Sequence, residues 1–160
     1  MCGITGIFHF EKDREVEGQR LKRMTDLIDY RGPDGEGFYV KQNVGLGHRR
    51  LSIIDLSSGD QPMYSDDRSI VVVLNGEIYN YIELKEELVQ LGHTFKTTSD
   101  TEVVIKAYEQ WGVECQSKFN GMWAIALWDE RKQQLFVSRD RIGEKPVHYA
   151  IWDNTLIFGS

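Results

Sequence analysis

Cysteine is scarce in this chain: Cys2 and Cys115 are its two thiols in 160 residues. That is too few for a disulfide framework or a thiolate zinc site. The four histidines, His9, His48, His93 and His148, are scattered and include no His-Glu-x-x-His pair, so a metal enzyme of that kind is excluded. No apolar run approaches the roughly 20 residues that span a bilayer. The N-terminus carries no basic flank followed by an apolar stretch and a cleavage site, so no secretion signal is legible. Positive charge is in deficit, with 19 Lys and Arg against 25 Asp and Glu and a formal charge of −6. Such a surface repels phosphate backbones and anionic lipid, which argues against nucleic acid and membrane as partners. Gly32, Gly35 and Gly37 have neither the spacing nor the following Lys-Ser/Thr of a phosphate loop. The expected compartment is the reducing cytoplasm, with both thiols free.

What is present is a globular balance: 41% apolar and 28% charged residues, at a length suited to one domain. A chain of this size buries roughly two-thirds of its unfolded surface and needs no covalent staples. Strand patterns are expected at Ile4 to Phe10, Phe38 to Val40, Val44 to Ile54 and Ile70 to Leu74. The last is a β-branched run typical of a fully buried strand, expected to end at Asn75-Gly76. Leu21, Met24, Leu27 and Ile28 recur at helical spacing. So do Tyr81, Leu84, Leu88 and Leu91, with Gly92 placed as the cap. Ser99 with Glu102 fits a capping box opening a third helix, which runs through Tyr108 and Trp111 to Gly112. Leu56 to Ser69 reads as a loop. Four strands close the chain, at Met122–Trp128, Leu135–Ser138, Val147–Ile151 and Thr155–Phe158, separated by short polar turns. Strands, grouped helices and strands again argue an α+β class with largely antiparallel sheet.

Cys2 carries the most chemistry. Removal of Met1, which a small second residue permits, would leave a free α-amine on the residue that bears the thiol. The amine titrates near 7.7–8.0 and is covalently held beside the sulfur, so it is a proximate base. A Cys–His pair with His48 is the rival use of that thiol, and Cys115 reads as packing. Asn75-Gly76 has two readings. It is a favoured hairpin turn, and it is also a pair of N–H donors at a strand end that suits an oxyanion. Arg49 and Arg50 alternate on a strand, so one of them at most faces a site beside it, where a guanidinium fork clamps a carboxylate. Asp100 stands at a helix start, where it complements the dipole or faces an ammonium.

Eight segments follow one another in a single order: Met1-Cys-Gly-Ile-Thr-Gly-Ile-Phe8, Arg31-Gly-Pro-Asp34, Gly47-His-Arg-Arg-Leu-Ser-Ile-Ile-Asp55, Gln61-Pro62, Asn75-Gly-Glu-Ile-Tyr-Asn80, Thr98-Ser-Asp-Thr-Glu102, Phe119-Asn-Gly-Met-Trp-Ala124 and Arg139-Asp-Arg-Ile-Gly143. Together they resemble the glutaminase domain of class II glutamine amidotransferases, of the asparagine synthetase type. The resemblance implies an N-terminal nucleophile (Ntn) hydrolase fold, a four-layer αββα sandwich over residues 1–160. It implies Cys2 as nucleophile and Asn75 and Gly76 as oxyanion hole. Arg50 would hold the glutamine α-carboxylate, Leu51, Ser52, Ile53 and Ile54 would line the pocket, and Glu77 and Asp100 would take the α-ammonium. No cofactor is implied for this domain. ATP and magnesium belong to a C-terminal synthetase domain absent from this chain, which would be the partner alongside L-glutamine and a second copy in a homodimer. Two readings stand beside it: the same glutaminase feeding another carboxylate, such as a sugar acid, and a catalytically silent scaffold.

Overall fold

The computed structural model describes residues 1–51 and 59–160. Its strands are β1 (Gly3–His9), β2 (Gly35–Lys41), β3 (Val44–Arg50), β4 (Met63–Tyr64), β5 (Ile70–Ile78), β6 (Gly121–Asp129), β7 (Gln134–Arg139), β8 (His148–Trp152) and β9 (Thr155–Gly159). The helices are α1 (Gly18–Asp26), α2 (Tyr81–Gln90) and α3 (Asp100–Trp111). One sheet has the order β2-β3-β1-β9-β8 and the other β4-β5-β6-β7, with every pairing antiparallel.

Side-chain alternation turns these sheets into layers, because successive residues of a strand face opposite sides. On β5, Val71 and Val73 join Ala124, Ala126 and Trp128 of β6 and Ile4, Leu46 and Phe158 of the other sheet in one core between the sheets. Ile70, Val72 and Leu74 face the other way, into a core with Leu84 and Leu88 of α2 and Val104 and Tyr108 of α3. Ile7 and Leu21 make a third, smaller cluster beneath α1. Three apolar layers separate four structural ones, which is the expected αββα Ntn sandwich.

Several local expectations shift. The strand expected to end at Asn75-Gly76 runs on to Ile78, with Asn75 opposite Ala124 and Gly76 opposite Trp123. The hairpin-turn reading of this dipeptide is therefore wrong. Gly76 is required for another reason: a Cβ there would lie 2.1 Å from the Met122 carbonyl oxygen. The capping box is also different. Ser99 accepts from the Thr101 N–H at 3.2 Å, but Glu102 reaches past the cap to the N–H groups of Lys96 and Thr97 at 2.9 and 2.7 Å. α1 ends at Asp26, so Leu27 lies outside the helical stripe and is 77% exposed. Leu91 is exposed too, although Gly92 ends its helix as expected, with the Gly92 and His93 N–H groups returning to Val89 and Leu88. The loop expected before Ser69 contains the short edge strand β4. The β3 strand closes at Arg50, one residue before Leu51, and residues 52–54 of its expected span, like 56–58 of the expected loop, lie outside the described residues.

Candidate active site

A cavity of about 180 Å³ opens where the two sheets and the start of α3 meet. That size suits a single amino acid better than a nucleotide or peptide. Its lining brings together Cys2, Arg50, Leu51, Asn75, Gly76, Glu77 and Asp100, residues spread over nearly a hundred positions of sequence. Ser52, Ile53 and Ile54, also expected here, lie outside the described residues.

Cys2 sits just before β1, partly buried. Its sulfur lies 3.3 Å from the Leu51 N–H, which donates to it, and 3.5 Å from the Leu51 carbonyl oxygen. The backbone after β3 thus fixes where the thiol points. The Cys2 carbonyl accepts from Arg31 Nε at 3.2 Å. Arg31 reaches it because Gly32 lies tight against β3: a Cβ on Gly32 would fall 2.4 Å from the Arg49 carbonyl carbon. Met1, which precedes Cys2 in the sequence, is 56% exposed and lines the cavity.

The two arginines of β3 part as alternation requires. Arg49 turns to the α1 side, where it contacts Asp26 and pairs with Glu36 at 3.0 Å. Arg50 turns to the cavity wall, where it pairs with Asp60 at 2.5 Å. The register that buries Leu46 between the sheets therefore also chooses which guanidinium faces the cavity.

Asn75 is buried on β5, and its side-chain nitrogen donates to Ser160 Oγ at 3.0 Å. The same hydroxyl accepts from the Ile4 N–H at 3.0 Å, tying the end of β9 to β1 beside Cys2. Asn75 Oδ1 is buried without a partner among the described residues. Gln61 steadies this edge, accepting from the Leu74 N–H at 2.6 Å and donating to Thr101 Oγ1 at 3.3 Å.

Asp100 is buried at the start of α3 and accepts from the Ile78 N–H at 3.1 Å. Burial raises its carboxyl above the ordinary value and the nearby Glu77 charge adds to this, while the Ile78 and Thr101 N–H groups work the other way. A buried carboxylate penalised in this manner gains from an incoming cation. The rival thiol partner does something else. His48 lies between the sheets with Nε2 on the Leu74 carbonyl at 3.2 Å, and burial pushes it down to about 4. Cys115 is buried in the helix-side core, its thiol pushed up to about 12 by desolvation, which fits packing. Among the described residues, no group of three His, Cys, Asp or Glu side chains is placed to hold a metal.

Sequence reasoning missed four contributors: Arg31 and Gln61, quoted in motifs without a role, and Ser160 and Lys145, which carried no signal. Lys145 is delivered by a turn whose hub is Asp140. That carboxylate accepts from the backbone N–H groups of Trp123, Glu144 and Lys145 at 3.2, 2.8 and 2.9 Å. Burial opposes its charge, but these bonds prevail and hold it below its ordinary value.

Comparison with known proteins identifies the family and supports the fold. A family model described as a glutamine amidotransferase domain matches residues 1–160. The chain is 48% identical over 162 residues to an asparagine synthetase (glutamine-hydrolyzing) of Bacillus subtilis, covering all of this chain and 21% of that protein. It is 40% identical over 162 residues to an asparagine synthetase (glutamine-hydrolyzing) of rice, covering all of this chain and 27% of that protein. The chain thus spans about a fifth to a quarter of the length of these relatives. Among solved structures, the glutamine phosphoribosylpyrophosphate amidotransferase of B. subtilis superposes with a TM-score of 0.82 at 20% identity, covering 99% of this chain and 41% of that one. At that identity the likeness speaks for the fold.

Proposed function

Because the chain belongs to the glutamine amidotransferase domain family, in the form carried by glutamine-hydrolysing asparagine synthetases, we propose that it hydrolyses L-glutamine to glutamate and ammonia at Cys2. The observation that carries this reading is the convergence of the Cys2 sulfur, Asn75, Gly76, Arg50 and Asp100 on one amino-acid-sized cavity. Arg50 and Asp100 sit on its wall as a cation and an anion, the complement of a zwitterion. With the amino-acid end held there, the side-chain amide lies against the sulfur.

The chemistry follows from removal of Met1. The freed α-amine takes the thiol proton, and the sulfur attacks the amide carbon. The C=O electron pair moves to oxygen, and the oxyanion is held by the Asn75 side chain and the Gly76 N–H. As the tetrahedral intermediate collapses, the C–N bond breaks and the protonated amine returns its proton to the departing ammonia. Water, deprotonated by the same amine, then cleaves the thioester and frees glutamate and the thiol.

In the whole protein the ammonia would pass to a C-terminal synthetase domain, where ATP and magnesium activate aspartate for conversion to asparagine. The reading extends to a cytoplasmic protein acting as a homodimer. No helix among the described residues is long and apolar enough to cross a membrane. Glutamate release by the processed domain tests the central claim. Cys2→Ala is expected to abolish it, and release at the wild-type rate from that variant would overturn the reading. Release by the intact Cys2 domain with no asparagine formed by the full-length protein would point to another carboxylate acceptor. No release by a processed domain would favour the silent scaffold.

A further inference from the structure

Lys145 is a buried cation that the mechanism above does not use. Its residue is 4% exposed, it lines the same cavity as Cys2, and its ammonium reaches the Met1 sulfur at 2.9 Å. Among the described residues, no carboxylate forms an ion pair with it. Its backbone is held on both sides, with the N–H on Asp140 Oδ2 at 2.9 Å and the carbonyl accepting from Arg139 Nε at 3.1 Å. A long, flexible stem on a fixed backbone is thus aimed at the side chain that processing removes.

The Met1 sulfur is five bonds from the Cys2 nitrogen, so the Lys145 ammonium is at most about 9 Å from that nitrogen even with Met1 extended. Loss of Met1 removes the ammonium's partner and frees the space in front of the new amine. We propose that Lys145 is a positioning residue of the glutaminase: its charge holds the Cys2 amine unprotonated near neutral pH, ready to take the thiol proton. The inference rests on the glutaminase reading.

The physical reason is like-charge repulsion. A cation nearby disfavours the ammonium form of the amine, so its proton affinity falls. The amine must lose its proton before it can act as the base, which sets the acidic limb of the pH profile, and removing the cation moves that limb upward. The other charges around Cys2 are Arg31 on its carbonyl, Arg50 from β3, Glu77 from β5, Asp100 from α3 and Asp140 beneath the Lys145 backbone. Asp140 is occupied by backbone donors, and Glu77 and Asp100 face the place of the substrate ammonium. Across such a part-solvated gap, one charge shifts the limb by about one pH unit, a tenfold change in the reactive fraction at a given pH.

The test is the pH profile of kcat/KM for glutamine hydrolysis by wild type, Lys145→Met, Lys145→Gln and Lys145→Arg, with removal of Met1 checked by intact mass. Expected is an acidic limb about one unit higher in either uncharged variant and near its wild-type position in Lys145→Arg. An unmoved limb, even with reduced rate, reports a structural role and overturns the inference while the glutaminase reading stands. A wild-type domain that releases no glutamate overturns the glutaminase reading itself. A crystal structure of the processed wild-type protein decides the matter even where the variants do not fold. An ammonium turned toward the Cys2 amine supports the inference, and one turned out to solvent overturns it.

Discussion

Asn75 Nδ2 donates to the hydroxyl of Ser160, 85 residues away, while the same hydroxyl accepts from the N–H of Ile4 on β1, two residues after Cys2. One short side chain thereby joins Asn75 on one sheet to β1, the strand that follows Cys2, on the other. Asn75→Ala should lower kcat roughly 10²–10³-fold with KM little changed, since the donor acts on charge that develops in the transition state. Ser160→Ala should cost less, about tenfold, by leaving the Asn75 amide less well aimed. Steady-state glutamate release measures both.

Under the proposed function, Asp100 should couple glutamine binding to pH. Its folded pKa is raised by burial first and by Glu77 second, so the carboxylate takes up a proton at a higher pH than an exposed Asp would. Only the ionised form attracts an ammonium. KM for glutamine should therefore be low above that raised pKa and climb as pH falls through it. Asp100→Asn should raise KM on the order of 10²-fold and flatten this rise, because truncating a buried charge partner costs about 2–5 kcal/mol.

The neighbours Arg49 and Arg50 should separate cleanly on substitution. Arg50→Ala removes a cation from the cavity wall and should raise KM strongly. Arg49→Ala breaks the contacts with Asp26 and Glu36 on the α1 side and should lower the melting temperature modestly with KM intact. If both changes weakened binding equally, the assignment by strand face would be wrong.

His48 makes stability depend on pH. Burial depresses its pKa to about 4, against an unfolded value of 6.5. Above 6.5 it is neutral in both states and contributes no slope. As pH falls from 6.5 to about 4, the unfolded chain gains a proton that the folded one refuses, so stability declines by up to about 3 kcal/mol. Below about 4 both states are protonated and the slope ends. Urea unfolding at several pH values, repeated on His48→Phe, measures this. The variant should lose the slope over that window.

The class of fold was readable from strand and helix periodicity because burial imposes it residue by residue. Ile70 to Leu74 had to be a buried strand, and Leu84 with Leu88 had to face a core. A candidate nucleophile could be named from the sequence too, since removal of Met1 would put an amine and a thiol on one residue. Two features misled. Asn75-Gly76 carries a strong turn preference, but nine residues of pairing with β6 override it. Ser99 and Glu102 have capping-box spacing, yet Glu102 finds two better-placed donors at Lys96 and Thr97.

What chain order and composition established about this protein is local: its elements, its overall class, and the segments that carry the family resemblance. Which arginine faces the cavity, which carboxylate pays for burial, and how Ser160 and Lys145 come to stand beside Cys2 depend on sheet register and on the meeting of two sheets. Those contacts join residues as far apart as 156 positions. Long-range packing selects them, and no window of sequence contains the neighbours that set their geometry or their charge.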